Sequence, residues 1–223
     1  DWMLNNKLVK PSKIRTIFSA SPVDALLTIK AKKSSIPLKI GAYGRFALQK
    51  GFDLLLPAFA SLPAEKFQLY LGGYGQDEQL IRDLARNLPQ VKLLGAIEDV
   101  PAFLADCDVI VIPSRWEPWG LVCLEAKAAG KPVIIFDVDG LREQVAGDRE
   151  MESVPRGDGE DSFKVCDRGL IVPANNIEQL AEAIKSLPQQ DLTAWGQAGR
   201  TSVVNAWSEF LHSWELFLGE VTA

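Results

Sequence analysis

The sequence predicts an α/β fold with a Rossmann-like, doubly wound parallel sheet. Short apolar runs of strand length alternate with longer segments of helical period, and the first two runs each lead into a glycine-containing turn. The apolar runs are continuous, which is typical of parallel strands covered by helices on both faces. With 223 residues, of which 47% are hydrophobic, the chain is long enough for one such core plus appendages.

The alternation begins after residue 38. Residues 1–38 carry scattered lysines and three prolines, with one short strand predicted at 13–18, and we interpret them as a connector. Two strand–turn–helix units follow. They are predicted at Leu38–Tyr43 with Gly51–Phe59 and at Phe67–Leu71 with Asp77–Leu88.

The same rhythm continues through the centre of the chain. Strands are predicted at Val91–Leu94, Val109–Ile112 and Pro132–Phe136. The intervening helices are predicted at Val100–Ala105 and Gly120–Ala129. The run Val109–Ile112 is uniformly apolar, so it is predicted to be a buried strand.

The last third of the chain breaks this rhythm. Residues 147–168 are rich in Gly, Asp, Glu, Arg and Pro, and their length exceeds an ordinary connection, so they are predicted to form a surface loop. Gly169–Pro173 is predicted as a short edge strand and Ile177–Leu187 as a helix. Leu192–Val221 has helical spacing and many aromatic residues, and it is expected to form a helical tail.

Composition excludes several classes of protein. A formal net charge of -5 argues against a general affinity for nucleic acid. The three cysteines show no CxxC pairing, which favours core thiols over a disulfide framework or a zinc site. No apolar run reaches the roughly 20 residues of a transmembrane helix, and no signal peptide is recognisable. These features predict a cytoplasmic protein.

The loop after the first predicted strand is the first candidate for binding. Ligands of open α/β sheets lie beyond the carboxyl ends of the strands. Here Gly44 allows close approach of the backbone, and Arg45 and Lys50 bring two positive charges to a helix N-terminus that favours anions. A diphosphate suits this loop. From the loop alone, solvated surface charges are an equally good interpretation.

The second candidate is the loop and helix after Val109–Ile112. Glu125 lies within an otherwise apolar helix, where an ionised carboxylate needs a polar partner. Glu117 precedes that helix, so the two carboxylates can reach different parts of one ligand. The alternative is that Glu117 faces solvent and Glu125 caps a neighbouring backbone group.

Together these residues resemble a known family. Glu117 and Glu125 form an E-x7-E pattern within SRWEPWGLVCLEAKAAGKPVI, and Gly44-Arg45 and Lys50-Gly51 match an upstream GR…KG motif. The order of motifs is similar to that of the retaining GT-B glycosyltransferases of family 4, the glycosyl transferases group 1. The resemblance runs from about Ile40 to Leu187. It implies the C-terminal, donor-binding half of a GT-B fold.

The resemblance implies a role for each position. Arg45 and Lys50 would hold the donor diphosphate and assist its departure, and Glu117 would bond the hydroxyls of the transferred sugar, so these three are the expected catalytic residues. Glu125 would bond the ribose. The other expected donor-binding positions are the backbone near the phosphates and the segment beside the base, namely Gly44, Gly120, Leu121, Val122, Ile97 and Val100.

A reaction is implied as well. We expect transfer of a hexose from a UDP, GDP or ADP sugar to a glycan, lipid or small-molecule acceptor, with retention and without a metal or other cofactor. A non-catalytic nucleotide-sugar-binding module and another GT-B-like sugar-nucleotide enzyme remain alternatives. Where many relatives have GG-x-P-E, this chain has DGLRE at 139–143, so the resemblance does not extend to donor specificity.

The resemblance also implies a missing N-terminal domain that holds the acceptor. Residues 1–38 resemble the interdomain connector, 39–190 the nucleotide-sugar-binding domain and 191–223 the final helices. The start at Asp1 instead of Met indicates a processed or excised piece. We therefore expect this chain alone to bind donor without transferring sugar, and any peripheral membrane association to occur through the missing domain.

Overall fold

The computed structural model describes residues 6–10, 14–31, 34–151 and 162–222. The chain divides into two compact units, one over Val23–Val204 and one that joins residues up to Pro22 with those from Asn205 onward. Part of the predicted 147–168 loop and the first residue of the strand predicted at 13–18 lie outside the described residues.

Within the described residues, one seven-stranded sheet forms in the order β3-β2-β1-β4-β5-β7-β6. The strands are β1 Leu38–Tyr43, β2 Phe67–Gly72, β3 Val91–Gly95, β4 Val109–Ile112, β5 Val133–Phe136, β6 Lys164–Cys166 and β7 Gly169–Val172. All neighbouring pairs are parallel except β6 with β7. The predicted Rossmann-like, doubly wound sheet is confirmed.

Among the residues described, helices alternate with strands from β1 to β6, and three helices follow β7. The helices are α1 Asp24–Leu27, α2 Phe52–Ala60, α3 Glu78–Ala85, α4 Val100–Asp106, α5 Leu121–Ala128, α6 Asp139–Met151, α7 Ile177–Ser186, α8 Leu192–Thr201 and α9 Ala206–Thr222. None of the helices in the described part of the chain is both long and apolar enough to cross a membrane.

The sheet order creates a switch point between β1 and β4. From β1 the chain winds outward through β2 to the edge strand β3, then returns to β4 and winds the other way to β5. β1 therefore pairs with β2 on one side and with β4 on the other, where Ile40 lies opposite Val109. After β1 and after β4 the chain proceeds toward opposite edges of the sheet, and the crevice at such a switch point is where open α/β sheets bind ligands.

The core explains why polar and apolar residues do not alternate along the central strands β4 and β5. Every residue of β4 and β5 is buried, as continuous apolar strands require. On one face of the sheet α2 buries Phe52, Leu55 and Phe59. The three cysteines lie among the described residues, are buried and form no disulfide.

Two predictions about the last third of the chain are wrong. Residues 147–151 are the end of α6, whose buried Leu141 and Val145 have the i, i+4 spacing of a helical face. Residues 164–166 form β6, which pairs antiparallel with β7 and displaces it from the edge of the sheet. A three-residue strand carries too little pattern to be recognised in a polar segment.

The described part of the strand predicted at 13–18 is also irregular, with no strand over residues 14–18. Strand backbone needs a neighbouring strand for its N–H and C=O groups, and no pairing with these residues occurs within the described chain.

The boundaries of the units, at 22/23 and 204/205, differ from the sequence-based divisions at 38/39 and 190/191. Packing of α8 explains the second difference. A Cβ on Gly196 would lie 2.1 Å from the carbonyl oxygen of Gly130, so the helix backbone sits directly on the turn before β5. Trp195 is buried in the main core. α9 belongs to the smaller unit, in which Arg15 pairs with Glu220.

Candidate functional site

The loop that leaves β1 is fixed by a glycine at its end. Gly51 has φ of 67° and precedes α2. A Cβ at this position would lie 1.9 Å from the carbonyl oxygen of Pro113, the residue after β4. Only glycine permits this approach, which brings the loop after β1 against the loop after β4.

Arg115 ties the same two loops together. Its guanidinium makes two hydrogen bonds of 2.7 Å to the carboxylate of Asp53 and a third, also of 2.7 Å, to the carbonyl of Leu48. The Arg115 backbone N–H donates to the carbonyl of Gln49, whose own side chain donates to the Trp116 carbonyl. Such two-pronged pairing fixes orientation as well as distance. The crevice therefore has rigid walls.

Lys50 and Glu117 meet across this crevice. The Lys50 ammonium donates to a carboxylate oxygen of Glu117. Glu117 is buried, with 8% of its surface exposed, and Lys50 is partly buried. Because a buried carboxylate without a counter-charge is costly, the ion pair with Lys50 explains how Glu117 can be buried.

Arg45 lies on the other side of the β1 loop. It is exposed, and within the described residues no carboxylate pairs with it. With Gly44 and Ile97 it lines a cavity of about 350 Å³ at the carboxyl ends of β1, β2 and β3. The structure thus brings these three predicted donor-binding residues together. Val100 begins α4 and is not among the described residues that line this cavity.

Three unused backbone donors stand at the start of α5. Gly120 has φ of 87° and precedes the helix, which begins at Leu121. The N–H groups of Gly120, Leu121 and Val122 donate to no group in the described parts of the chain. The N–H groups and the helix dipole together favour an anion at this point.

Glu125 has the polar partner that its apolar helix required. The hydroxyl of Tyr43, the last residue of β1, donates to the Glu125 carboxylate. Burial raises the pKa of Glu125, and the hydrogen bond from Tyr43 opposes that rise. The pKa of Tyr43 is raised well above its ordinary value, mainly because the hydroxyl is buried. The negative charge of Glu125 raises it further. Tyr43 was not predicted as a site residue.

The loop after β5 forms a third wall that the sequence analysis did not identify. The Gly140 N–H donates to the carbonyl of Glu117 over 3.2 Å. A Cβ on Gly140 would lie 2.3 Å from the carbonyl oxygen of Pro118, so the start of α6 presses directly on the turn that carries Glu117. On α6, Arg142 is buried and pairs with Asp137 of this loop.

In the stretches that the structure describes, no group of three or more His, Cys, Asp or Glu side chains is placed to hold a metal ion. The charged side chains predicted to bind the donor are Arg45, Lys50, Glu117 and Glu125, of which Lys50 and Glu117 form an ion pair. The site therefore offers basic side chains and backbone N–H groups for an anionic ligand.

Comparison with known proteins identifies the family of this chain. Residues 28–201 match the sequence pattern of the family "Glycosyl transferases group 1". The chain belongs to this family. Its sheet and its structural neighbours identify it as a Rossmann-like half of a GT-B fold.

Individual relatives match different shares of the chain. It is 36% identical over 115 residues to mannosylfructose-phosphate synthase of Agrobacterium fabrum, covering 45% of this chain and 25% of the relative. It is 29% identical over 208 residues to the lipopolysaccharide core biosynthesis glycosyltransferase LpsE of Rhizobium meliloti, covering 90% of this chain and 58% of the relative. The chain thus spans a quarter of one relative and just over half of the other.

A solved structure shows that the similarity in fold extends over most of this chain. S. aureus TarM, solved as a mutant in complex with fondaparinux, alpha-GlcNAc-glycerol and UDP, superposes with a TM-score of 0.76 at 21% identity. The match covers 95% of this chain and 40% of TarM.

Proposed function

We propose that this chain is the C-terminal, donor-binding domain of a retaining glycosyltransferase that moves a hexose from a nucleoside-diphosphate sugar to an acceptor. The observation that carries the proposal is the crevice at the switch point between β1 and β4. Lys50 and the unused N–H groups at the start of α5 stand there beside two carboxylates, and Arg45 lies on the adjoining loop.

Different groups around the crevice suit different parts of a nucleotide sugar. The cationic side chains of Arg45 and Lys50 and the N–H groups of Gly120, Leu121 and Val122 are donors for a diphosphate. Glu117 is an acceptor for sugar hydroxyls, and Glu125 for the ribose. The cavity beside Ile97 accommodates the base. UDP in the TarM complex supports a nucleotide as ligand.

Catalysis in this proposal is electrostatic. The leaving diphosphate gains negative charge as the glycosidic bond breaks, and Arg45 and Lys50 stabilise that charge, so no metal is required. The acceptor, whether a glycan, a lipid or a small molecule, binds to a further N-terminal domain. This chain alone then binds donor without turnover, because transfer needs both substrates held together.

A non-catalytic nucleotide-sugar-binding module is the second candidate. It would use the same crevice and would bind the same ligands. The two candidates differ in one expected result. If the chain is a non-catalytic module, joining the acceptor domain to it restores no sugar transfer. Another GT-B-like sugar-nucleotide enzyme would instead convert the donor without an acceptor.

Calorimetry tests the proposed ligand. UDP, GDP, ADP and their glucose conjugates are titrated into the unaltered chain and into Arg45→Met and Lys50→Met. Each charge-assisted contact is worth about 1.5–3 kcal/mol, so we expect roughly 10- to 100-fold weaker binding of the diphosphate in each variant. Lys92→Met, at an exposed lysine on β3, is the charge-matched control. Failure of all six nucleotides to bind the unaltered chain would overturn the proposal.

A further inference from the structure

Gln144 connects the turn before α5 to the rest of the fold. It lies on α6, and only 3% of its surface is exposed. Its side-chain N–H2 donates to the carbonyl of Trp119, and to that of Gly120 over 3.3 Å. One amide group therefore holds two consecutive peptide units of the turn.

This arrangement determines where the backbone donors of the turn point. A trans peptide is planar, and its C=O and N–H point in opposite directions. The carbonyls of Trp119 and Gly120 are drawn toward Gln144 in the protein interior. The N–H groups of Gly120 and Leu121, which belong to the same two peptides, must therefore point away from it.

The backbone of Gln144 is itself held by two cations. Lys127 from α5 and Arg168 from the turn between β6 and β7 each donate to the Gln144 carbonyl over 3.1 Å. Lys127 is 3% exposed, and burial lowers the pKa of its ammonium. Charge-assisted hydrogen bonds to a carbonyl are stronger than neutral ones. The backbone of Gln144 is therefore held firmly in place, and its side chain in turn holds the turn before α5.

We infer that Gln144 is a positioning residue for diphosphate binding, an inference that rests on the proposed function. It touches no part of the donor. By holding the Trp119 and Gly120 carbonyls, it aims the N–H groups of Gly120 and Leu121 into the crevice between β1 and β4. Preorganised donors of this kind bind an anion without a cost of reorientation.

Gln144→Met tests this role, because methionine has nearly the same length and volume but no N–H donor. Gln90→Met is the matched control. Gln90 is also buried, and its side chain donates to the backbone carbonyl of Phe59 over 2.9 Å, at the opposite end of the sheet. Gln144→Met loses its hydrogen bonds to two backbone carbonyls and Gln90→Met loses one, but only the bonds of Gln144 orient the turn.

Two readouts separate positioning from general stability. The first is the affinity of each chain for UDP, GDP and ADP, compared with uridine, guanosine and adenosine. Gln144→Met should weaken diphosphate binding about 10-fold and leave nucleoside binding unchanged. The second is amide hydrogen exchange without nucleotide at Cys123 and Leu124, whose N–H groups donate to the Gly120 carbonyl. Their exchange should accelerate in Gln144→Met and not in Gln90→Met.

The outcomes distinguish the two proposals. If the unaltered chain binds none of the three diphosphates, the proposed function fails and this inference falls with it. If the unaltered chain binds them, but Gln144→Met changes affinity and exchange no more than Gln90→Met does, the inference alone is wrong. Equal loss of diphosphate and nucleoside affinity in Gln144→Met also contradicts it, because that result indicates general damage to the site.

Discussion

Lys50 and Glu117, which we assign to the phosphate and the sugar of one donor, form an ion pair with each other across the crevice. Each of these two side chains is thus the partner of the other within the protein. In the proposed function, a diphosphate competes with Glu117 for Lys50, and the displaced carboxylate becomes available to sugar hydroxyls. Donor binding is then an exchange of partners, in which the burial of Glu117 makes an unpaired carboxylate unfavourable.

Glu117→Gln should strengthen binding of a nucleoside diphosphate, because it removes the charge that competes for Lys50. A partly exposed ion pair is worth about 1 kcal/mol, so a rise of up to roughly fivefold in affinity is expected. The additional affinity of a nucleotide sugar over the diphosphate alone should fall. Calorimetry with UDP, GDP and ADP and their glucose conjugates measures both effects.

Glu65→Gln, at an exposed position before β2, controls for the change in net charge. If Glu117→Gln weakens diphosphate binding as strongly as Lys50→Met does, Glu117 supports the phosphate site and does not compete with it. The proposed exchange of partners would then be wrong.

Gly51→Ala should lower the free energy of unfolding by more than about 2 kcal/mol, because it adds a clash with the Pro113 carbonyl to the cost of a positive φ. Gly95→Ala is the matched control. Gly95 has nearly the same φ, 70°, but a Cβ there meets no described atom within 4 Å, so it carries the conformational cost of about 1 kcal/mol alone. Urea unfolding of both variants gives the difference. Equal destabilisation would show that contact between the two loops is unimportant.

The sequence located the residues of the crevice but not all of their partners. Spacing placed Lys50 and Glu117 in loops after two strands, and parallel strands bring such loops to one edge of a sheet. Burial predicted that Glu125 needs a polar partner, yet nothing in the sequence pointed to Tyr43. That contact depends on β1 lying beside β4, and strand order is a property of the whole sheet.

Gln144 illustrates a second limit. In the sequence it is one polar residue in a polar segment, and the helix that buries it extends into a region predicted to be a loop. Its hydrogen bonds to Trp119 and Gly120 join positions more than twenty residues apart. Sequence patterns report local period and composition, so a contact of this kind becomes visible only when α5 and α6 are packed together.

Nucleotide binding should survive removal of divalent metal ions. The proposed diphosphate contacts are Arg45, Lys50 and backbone N–H groups, whereas a metal-bridged diphosphate requires oxygen ligands from the protein. Calorimetry with UDP, GDP and ADP is repeated in excess EDTA and again after Mg²⁺ or Mn²⁺ is added. An affinity unchanged within about twofold is expected in both cases. Loss of binding in EDTA, with recovery on addition of metal, would contradict the proposed catalysis.

Glu125→Gln should stabilise the fold at neutral pH and weaken nucleotide binding. Burial raises the pKa of Glu125, so the folded state holds its proton to a higher pH than the unfolded state does. Between the ordinary pKa of a glutamate, about 4.3, and the raised value, the stability contributed by Glu125 therefore falls as pH rises. The amide of the variant does not titrate, so this pH dependence is lost, and its side-chain oxygen still accepts the Tyr43 hydroxyl.

The difference in unfolding free energy between Glu125→Gln and the unaltered chain should therefore be small near pH 4 and grow toward pH 7. Urea unfolding at each pH measures it, with the exposed Glu65→Gln as control for a carboxylate outside the core. In the same variant, affinity for UDP should fall about 10-fold, because a charged acceptor for the ribose hydroxyls is lost. A difference that stays flat with pH would show that Glu125 is not penalised by burial. Unchanged UDP affinity would remove it from the ribose site.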